Sequence, residues 1–420
     1  MELNRVCDNL GMSFPMKHQA QDAIKAAPPV LVVDDSRAHR RLLARSLAKW
    51  GYETIEADSG EAALDICRST SVDIIISDWM MPGGMTGVEF CGALREIEER
   101  RAYFILLTAQ TEREVLAEGL ESGADDFLSK PFNSVELRAR IRAGERLIKA
   151  QNDLAEQNAT LEDAYAAIDR DLRGARVFQE GLVPNRSLKL EQFDVSLLFQ
   201  SSGHVGGDLV GYFRVNQHEI GVYSVDVSGH GVASALMTAR IAGFFSDVSP
   251  ERNISLTRVG ESYGMIPLED ACTRLNTLLQ EDSDSDQYLT MALARVNLNT
   301  GQVEVCSAGH PSPAIQRADG RVEMLEMWST PIGLLDDVEF EKTDIHLAPG
   351  DRLLLYSDGL TECPDPDGNL LDDDGLSELL IKCAEKNGLD LVSSVADALV
   401  DFHGGSDFPD DLSAALIQRI

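Results

Sequence analysis

The sequence predicts two domains in series: an α/β domain with a doubly wound (βα)5 parallel sheet, then an α+β sandwich, with a long helical linker between them. From residue 30 to about 147, short apolar runs alternate with amphipathic stretches, which is typical of βα units. Residues 133–183 lack proline and have a helical composition. After residue 193, several strand-like runs are interrupted by a few helical stretches.

Composition narrows the classes of function. The 420 residues, 44% hydrophobic and 25% charged, fit a globular protein of more than one domain. The net charge of −33 would repel a phosphate backbone, so nucleic acid is not an expected partner. No basic surface or recognition helix follows the first domain, which disfavours a transcription factor. No apolar run is long enough to cross a bilayer, so no membrane association is expected.

The first 29 residues lack the apolar core and cleavage pattern of a signal peptide, so they are predicted to be a flexible leader of a cytoplasmic protein. Seven cysteines occur without a C-x-x-C pair, which fits a reducing compartment and no zinc site. The predicted boundaries are a leader at 1–29, the α/β domain at 30–135, the helical linker at 136–183 and the α+β domain at 184–420.

Acidic residues stand where predicted strands of the first domain end. The strands are expected at 30–33, 52–56, 72–77, 104–108 and 126–129, each followed by a helix such as 37–50. Asp34 and Asp35 follow the first strand and Asp78 follows the third, at the sheet edge where functional residues of this fold collect. Aspartates in such turns are commonly only helix caps. A group of them is typical of a site that binds a divalent cation and phosphate.

Four ordered segments of the first domain resemble the receiver domain of bacterial two-component response regulators. They are Val32-Val33-Asp34-Asp35, Ser77-Asp78-Trp79-Met80-Met81-Pro82, Thr108-Ala109 and Ser129-Lys130-Pro131-Phe132. The resemblance implies that Asp78 is the phosphoacceptor, that Asp34, Asp35, Asp78 and the Met80 carbonyl hold Mg²⁺, that Thr108 and Lys130 contact the phosphoryl group, and that Phe127 is the aromatic switch residue. A carboxylate nucleophile needs a cation and a lysine to offset charge repulsion, so the chemistry agrees. A cognate histidine kinase or phosphotransfer protein is the implied partner.

The linker carries a heptad pattern. Leu147, Leu154, Leu161 and Ile168 recur every seven residues, and Gln151, Asn158, Tyr165 and Leu172 occupy the complementary register. Polar residues within a coiled-coil seam fix its register and strand number. The pattern predicts a parallel homodimer through the linker. The alternative is a single long amphipathic helix packed on its own domain.

The second domain is predicted to be largely antiparallel, with strands such as 195–199, 220–225, 289–296 and 352–356 and helices near 231–245, 268–279 and 376–402. Acidic residues again lie at strand ends. The segments that contain them are Val205-Gly206-Gly207-Asp208, Asp226-Val227-Ser228-Gly229-His230-Gly231, Tyr356-Ser357-Asp358-Gly359 and Pro409-Asp410-Asp411-Leu412-Ser413.

These segments, in this order, resemble metal-dependent serine/threonine phosphatases of the PP2C type, most closely the bacterial branch that acts on sigma-factor regulators. The resemblance implies that Asp208, Asp226 and the Val227 carbonyl bind one metal, and that Asp226, Asp358 and Asp410 bind a second. Two Mn²⁺ or Mg²⁺ ions held in this way activate a water, so no protein nucleophile is needed.

The order of domains predicts a receiver-controlled phosphatase, with a phosphorylated anti-sigma-factor antagonist as the implied substrate in a partner-switching pathway. The alternative is a pseudo-phosphatase that sequesters a partner according to the state of Asp78, because Gly211 stands where the resembling family often has an acidic residue. Among the histidines, His204, His230 and His310 are candidates for proton transfer, although histidines near glycine turns are usually structural. His230 is the best placed of the three.

Overall fold

The computed structural model describes residues 29–97, 102–109, 122–229, 231–246, 248–281 and 287–420. The predicted leader up to residue 28 and the candidate His230 lie outside the described residues. The chain divides into two compact units, Met1–Asp163 and Ala164–Ile420. Within the described part of the chain, no helix has the length and apolar character that a membrane span requires.

The first unit contains a five-stranded sheet. Its strands are β1 (Val30–Val33), β2 (Thr54–Ala57), β3 (Ile74–Asp78), β4 (Tyr103–Thr108) and β5 (Asp126–Ser129). Their order is β2-β1-β3-β4-β5, and every neighbouring pair is parallel. The doubly wound prediction is therefore confirmed.

Both faces of this sheet are buried. The described helices that follow its strands are α1 (Arg37–Lys49), α2 (Gly60–Ser69) and α3 (Gly87–Ile97). Along β1, Leu31 and Val33 join the core on one face, whereas Val30 and Val32 join the core on the other. Side chains alternate along a strand, so a strand covered on both faces reads as an unbroken apolar run.

A single helix, α4 (Ser134–Glu180), follows β5. Asn133 caps its first turn, because the Asn133 Oδ1 accepts a hydrogen bond from the Glu136 backbone N–H at 2.8 Å. Early in the helix, Leu137 and Ile141 are buried in the core of the first unit. The predicted seam is exposed instead: Leu147, Leu154, Leu161 and Ile168 are 45%, 58%, 54% and 56% exposed.

The second unit is a sandwich of two antiparallel sheets, as predicted. Its strands are β6 (Ser187–Lys189), β7 (Phe193–Gln200), β8 (Asp208–Arg214), β9 (Glu219–Val227), β10 (Leu256–Val259), β11 (Ser262–Met265), β12 (Leu289–Asn297), β13 (Gln302–Ala308), β14 (Ala314–Gln316), β15 (Val322–Met324), β16 (Lys342–His346), β17 (Arg352–Tyr356) and β18 (Leu412–Arg419). One sheet has the order β16-β13-β12-β9-β8 and the other β15-β14-β17-β18-β7-β6, while β10 and β11 form a separate hairpin. Buried residues of both sheets, including Val195, Val222 and Leu355, form the core between them.

Helices cover the outer faces of the sandwich. They are α5 (Val232–Phe244), α6 (Leu268–Gln280), α7 (Asp358–Thr361), α8 (Asp372–Lys382) and α9 (Gly388–His403). The helices α5 and α6 pack on the five-stranded sheet, and α8 and α9 on the six-stranded one.

The single helical stretch predicted at 376–402 is wrong, because the chain breaks between α8 and α9. The guanidinium of Arg352 donates hydrogen bonds to the carbonyls of Ala384 and Lys386 and to the Asn387 Oδ1, at 3.1, 2.8 and 2.7 Å. Gly388 then takes a positive φ of 54°. These bonds to a buried strand residue hold the backbone out of helical geometry.

Candidate metal and phosphoryl sites

The acidic group of the first unit lies at the carboxyl edge of its sheet. Asp34 and Asp35 follow β1, Asp78 ends β3, and these two strands are neighbours. Oxygen atoms of the three carboxylates lie within 4.8 Å of one another, which no other group of three acids, histidines or cysteines among the described residues achieves. Oxygen ligands gathered this closely suit a divalent cation.

A lysine completes this site. The Lys130 Nζ lies 2.9 Å from the Asp78 Oδ2 and 3.2 Å from the Asp34 Oδ2. The Lys130 backbone N–H donates to the Thr108 carbonyl at 2.6 Å, so the buried Thr108, at the end of β4, belongs to the same edge. Lys130 thus contacts two of the three carboxylates, and Thr108 lies at the same sheet edge. Their contacts with a phosphoryl group remain predictions.

The surroundings of Asp78 fit a nucleophile. Burial raises the pKa of its carboxyl group, and the ammonium of Lys130 opposes this rise. Met80 lies two residues further on with its side chain exposed. Phe127 is partly buried on β5 and packs against the core that contains Phe104 and Leu106. The roles of Met80 and Phe127 remain predictions.

The second acidic group is assembled from both sheets of the sandwich. Asp208 begins β8 and lies opposite Asp226 on β9. Asp358 lies two residues after the end of β17, and Asp410 lies two residues before the start of β18, the strand that pairs with β17. Both β17 and β18 contact β9 from the facing sheet. The strand pairing thus brings all four predicted metal ligands to one end of the sandwich, although no three of their carboxylate groups have oxygen atoms that all lie within 4.8 Å of one another.

Burial and neighbouring acids raise the pKa of each of these four carboxyl groups. Burial, together with the charges of Asp358 and Asp410, raises the pKa of Asp226 to about 7. Burial and the charge of Asp410 raise the pKa of Asp358 to about 6. The pKa of Asp208 is raised well above its ordinary value by burial and by Asp226. No ion pair between described residues involves these four acids, so their negative charge favours a bound cation.

Two further details fit a metal at this site. The Oδ2 of Asp208 is buried and has no hydrogen-bond partner among the described residues, and a buried acceptor of this kind is costly unless something binds it. A Cβ at position 207 would overlap the Val227 carbonyl oxygen, so Gly207 gives that predicted ligand room. The donor set therefore fits hard divalent cations.

The position of Gly211 has a packing explanation. Gly211 on β8 lies opposite Tyr223 on β9, and a Cβ at Gly211 would overlap the Tyr223 ring. Tyr223 in turn stacks on Phe245, with ring centroids 4.9 Å apart. Glycine at this position accommodates the aromatic core.

Sequence reasoning did not single out Gln179 at the end of α4. Its buried side chain forms two hydrogen bonds with Gly206: the Gln179 Nε2 donates to the Gly206 carbonyl at 2.7 Å, and the Gly206 N–H donates to the Gln179 Oε1 at 3.0 Å. Gly206 is two residues before Asp208. The sequence feature that could have identified Gln179 is the heptad register, because Gln179 lies seven residues after Leu172.

The two described candidate histidines differ in environment. His204 lies 2.8 Å from Asp169, and both side chains are partly exposed. His310 is buried, with its Nδ1 2.8 Å from the Thr290 hydroxyl and its Nε2 2.9 Å from the Ser224 hydroxyl. Burial lowers the pKa of His310 to about 3. A neutral imidazole held between two hydroxyls has a structural role, so His310 does not supply a proton near neutral pH.

The pKa of His310 predicts a pH dependence of stability. An unfolded histidine takes up a proton below about pH 6.5, whereas the folded one stays neutral down to about pH 3. Acidification from pH 6.5 to 4.5 should therefore lower the free energy of unfolding by about 2 to 3 kcal/mol through this residue. Urea denaturation of the wild type and of His310→Gln across this range measures the effect. Equal slopes against pH for the two proteins would contradict the prediction.

Fold and sites define a receiver domain followed by a PP2C-like phosphatase domain. Residues 30–142 match the family model described as response regulator receiver domain, and residues 216–420 match the model described as stage II sporulation protein E (SpoIIE). The first domain thus matches the receiver family model and the second matches the SpoIIE family model.

Individual relatives match the two domains separately. The chain is 28% identical over 196 residues to the phosphoserine phosphatase RsbP of Bacillus subtilis, which covers 46% of this chain and 45% of RsbP. It is 43% identical over 115 residues to the transcriptional regulatory protein YvrH of the same organism, which covers 27% of this chain and 47% of YvrH. The chain spans about half the length of these curated relatives.

A solved structure shares the fold of the second domain. The SiaA-PP2C domain of Pseudomonas aeruginosa aligns with a TM-score of 0.50 at 20% sequence identity, covering 61% of this chain and 98% of that domain. This likeness concerns the fold alone.

Proposed function

We propose that this protein is a metal-dependent serine/threonine phosphoprotein phosphatase whose activity is controlled by its receiver domain. The observation that carries the proposal is the convergence of four acids on one end of the sandwich, together with the unpartnered Oδ2 of Asp208. Asp208, Asp226 and the Val227 carbonyl would hold one cation, and Asp226, Asp358 and Asp410 a second. Divalent cations there would supply Lewis-acid activation of water and neutralise phosphoester charge.

Space for a phosphorylated segment adjoins these acids. A pocket of about 440 Å³ is lined by Asp358 together with Thr290, His310, Trp328 and Glu362. Trp328 is 94% exposed at this pocket. In the proposal, the cation held by Asp358 at the wall of this pocket would attract the phosphoester, and the remainder of the pocket receives neighbouring residues of the substrate.

Hydrolysis by the purified full-length chain tests the proposed activity. The substrates are a phosphoserine peptide and an aryl phosphate, each assayed with Mn²⁺, with Mg²⁺ and with excess EDTA. We expect phosphate release that requires the cation and stops with EDTA. Release that is unaffected by EDTA would contradict the proposed chemistry.

We further propose that the natural substrate is a phosphoserine or phosphothreonine of a small anti-sigma-factor antagonist. The match of the second domain to the SpoIIE family model and the similarity to RsbP, which is named a phosphoserine phosphatase, support this choice. Dephosphorylation would let the antagonist capture its anti-sigma factor and release a sigma factor. Mass spectrometry of a phosphorylated antagonist incubated with the chain should show loss of one phosphoryl group, and an intact phosphoprotein would contradict the assignment.

The proposed setting is the cytoplasm. No disulfide bond joins any of the six described cysteines. Two of them, Cys272 and Cys306, have sulfur atoms only 3.5 Å apart. Thiols this close would be prone to pair in an oxidising compartment, so a reducing one suits them.

The proposed control begins at Asp78. A histidine kinase or phosphotransfer protein would donate a phosphoryl group to it with Mg²⁺, and the change at Thr108 and Phe127 would alter the packing of α4 and raise phosphatase turnover. Two features of α4 support this coupling. The helix starts four residues after Lys130, and near its end the Gln179 side chain donates one hydrogen bond to Gly206 and accepts another from it.

We propose that the exposed seam of α4 forms a parallel homodimer, and we predict that charges in the seam disrupt it. Leu154→Lys combined with Leu161→Lys should yield a monomer, because both side chains lie in the predicted interface. The matched control is Ala159→Lys combined with Ala166→Lys, off the seam on the same helix. Analytical ultracentrifugation should give a dimer for the wild type and the control. A wild-type monomer at micromolar concentration, with or without phosphorylation, would refute the dimer.

A further inference from the structure

We propose that Asp411 is a positioning residue of the phosphatase site, which ties the loop that carries Asp208 to the loop that carries Asp410. The inference rests on the proposed phosphatase function. Asp411 is only 3% exposed. Its Oδ1 accepts a hydrogen bond from the Ser202 N–H at 2.8 Å, and its Oδ2 accepts one from the Asp208 N–H at 3.2 Å. One carboxylate therefore closes a loop of seven residues that ends at a metal ligand.

The fit of this carboxylate depends on a glycine. A Cβ at Gly206 would overlap the Asp411 carboxyl group. The carboxyl group therefore occupies the space that the side chain of any other residue at position 206 would need. Gly206 is bound through its backbone by Gln179 as well. The loop is thus held by one side chain from the 410–411 loop and by another from α4.

Asp411 also touches the other ligand segments. Its backbone N–H donates to the Asp410 Oδ1 at 2.7 Å. Its carbonyl lies so close to Gly359, the neighbour of Asp358, that a Cβ there would overlap it. Asp411 therefore contacts the segments of Asp208, Asp358 and Asp410, which come from three separate parts of the chain.

These contacts distinguish positioning from ligation. Each carboxylate oxygen of Asp411 already accepts a backbone hydrogen bond, which satisfies a buried carboxylate without a cation. The Oδ2 of Asp208, in contrast, accepts no hydrogen bond from any residue that the structure describes. Groups that hold metal ligands in place typically change metal affinity about 10- to 100-fold when they are altered.

The test compares Asp411→Asn with Asp407→Asn, an exposed aspartate nearby. The asparagine keeps the shape but turns one acceptor oxygen into an NH₂ group that faces a backbone N–H. In the metal-free full-length chain, hydrogen exchange of the Ser202 and Asp208 amides should accelerate about tenfold or more. Calorimetry should show Mn²⁺ affinity reduced about 10- to 100-fold, while turnover at saturating Mn²⁺ recovers to within a few-fold of the wild type. The control should match the wild type in each measurement.

Asp411→Glu provides a second variant, because it retains both acceptor oxygens. It should keep more of the Mn²⁺ affinity than Asp411→Asn. If the asparagine variant folds poorly, the affinity of Asp411→Glu still tests whether the two acceptor oxygens are what matters. Unchanged exchange and wild-type Mn²⁺ affinity in Asp411→Asn would overturn the positioning role, as would equal losses in the Asn and Glu variants. Failure of the proposed phosphatase function can be told apart from failure of the positioning role. In the first case the wild type itself would not hydrolyse phosphoesters, and amide exchange in the metal-free chain would still show whether Asp411 holds the loop.

Discussion

Replacement of Asp226 by asparagine should lower Mn²⁺-dependent hydrolysis of an aryl phosphate by about 1,000-fold or more. Asp226 is the acid whose pKa responds to both Asp358 and Asp410, and it lies opposite Asp208 on the paired strand. It is therefore the one ligand proposed to serve both cations. Its loss removes about 4 kcal/mol or more of transition-state stabilisation, on the usual conversion of rate to free energy.

Initial rates over a Mn²⁺ titration measure this effect. The control is Asp367→Asn, an exposed aspartate in a turn of the same domain. The fold should survive, because removing one of several crowded buried charges relieves repulsion above about pH 7, where Asp226 is ionised. Thermal unfolding of the metal-free variant should then occur no lower than in the wild type. A variant that keeps a tenth of the wild-type rate would contradict the assigned role of Asp226.

Replacement of Asp78 by asparagine should abolish stable phosphorylation of the receiver. The amide is not a nucleophile, whereas the carboxylate of Asp78 is held by Lys130 beside two further acids. Intact-mass measurement after incubation with acetyl phosphate and Mg²⁺ should show one added phosphoryl group in the wild type and none in Asp78→Asn. Asp65→Asn on the surface of α2 is the matched control and should be phosphorylated normally.

The same variant tests the coupling between domains. Phosphorylation of the wild type is expected to raise phosphatase turnover, and Asp78→Asn should remain at the unphosphorylated level under the same treatment. If Asp78→Asn gained one phosphoryl group as the wild type does, another residue would be the phosphoacceptor. That result would contradict the assignment of Asp78.

The sequence was informative where a local pattern determines the structure. Alternating apolar runs identified the parallel sheet, and the acids after β1 and β3 had to meet because neighbouring parallel strands end at one edge. In the sandwich, the glycine-rich segments around Asp208 and Asp226 identified strand ends without tertiary information. The candidate ligands could be recognised without knowing the order of the strands in either sheet or which strand ends lie close together.

Features that depend on distant contacts could not be read from the sequence. The break before Gly388 is held by Arg352, which comes from a strand more than 30 residues earlier. Asp411 was not singled out, because its hydrogen-bond partners Ser202 and Asp208 lie about 200 residues earlier in the chain. Gln179 occupies a heptad position that ends against Gly206. Each is a polar side chain whose partner is a backbone group far away in sequence.

Turnover of the full-length chain on a phosphoserine peptide, measured with Mn²⁺ before and after phosphorylation of the receiver by acetyl phosphate, tests the central claim most directly. We expect hydrolysis that requires Mn²⁺ and increases on phosphorylation of Asp78. An absence of Mn²⁺-dependent hydrolysis in both states would contradict a receiver-controlled phosphatase and favour a domain that binds its partner without catalysis.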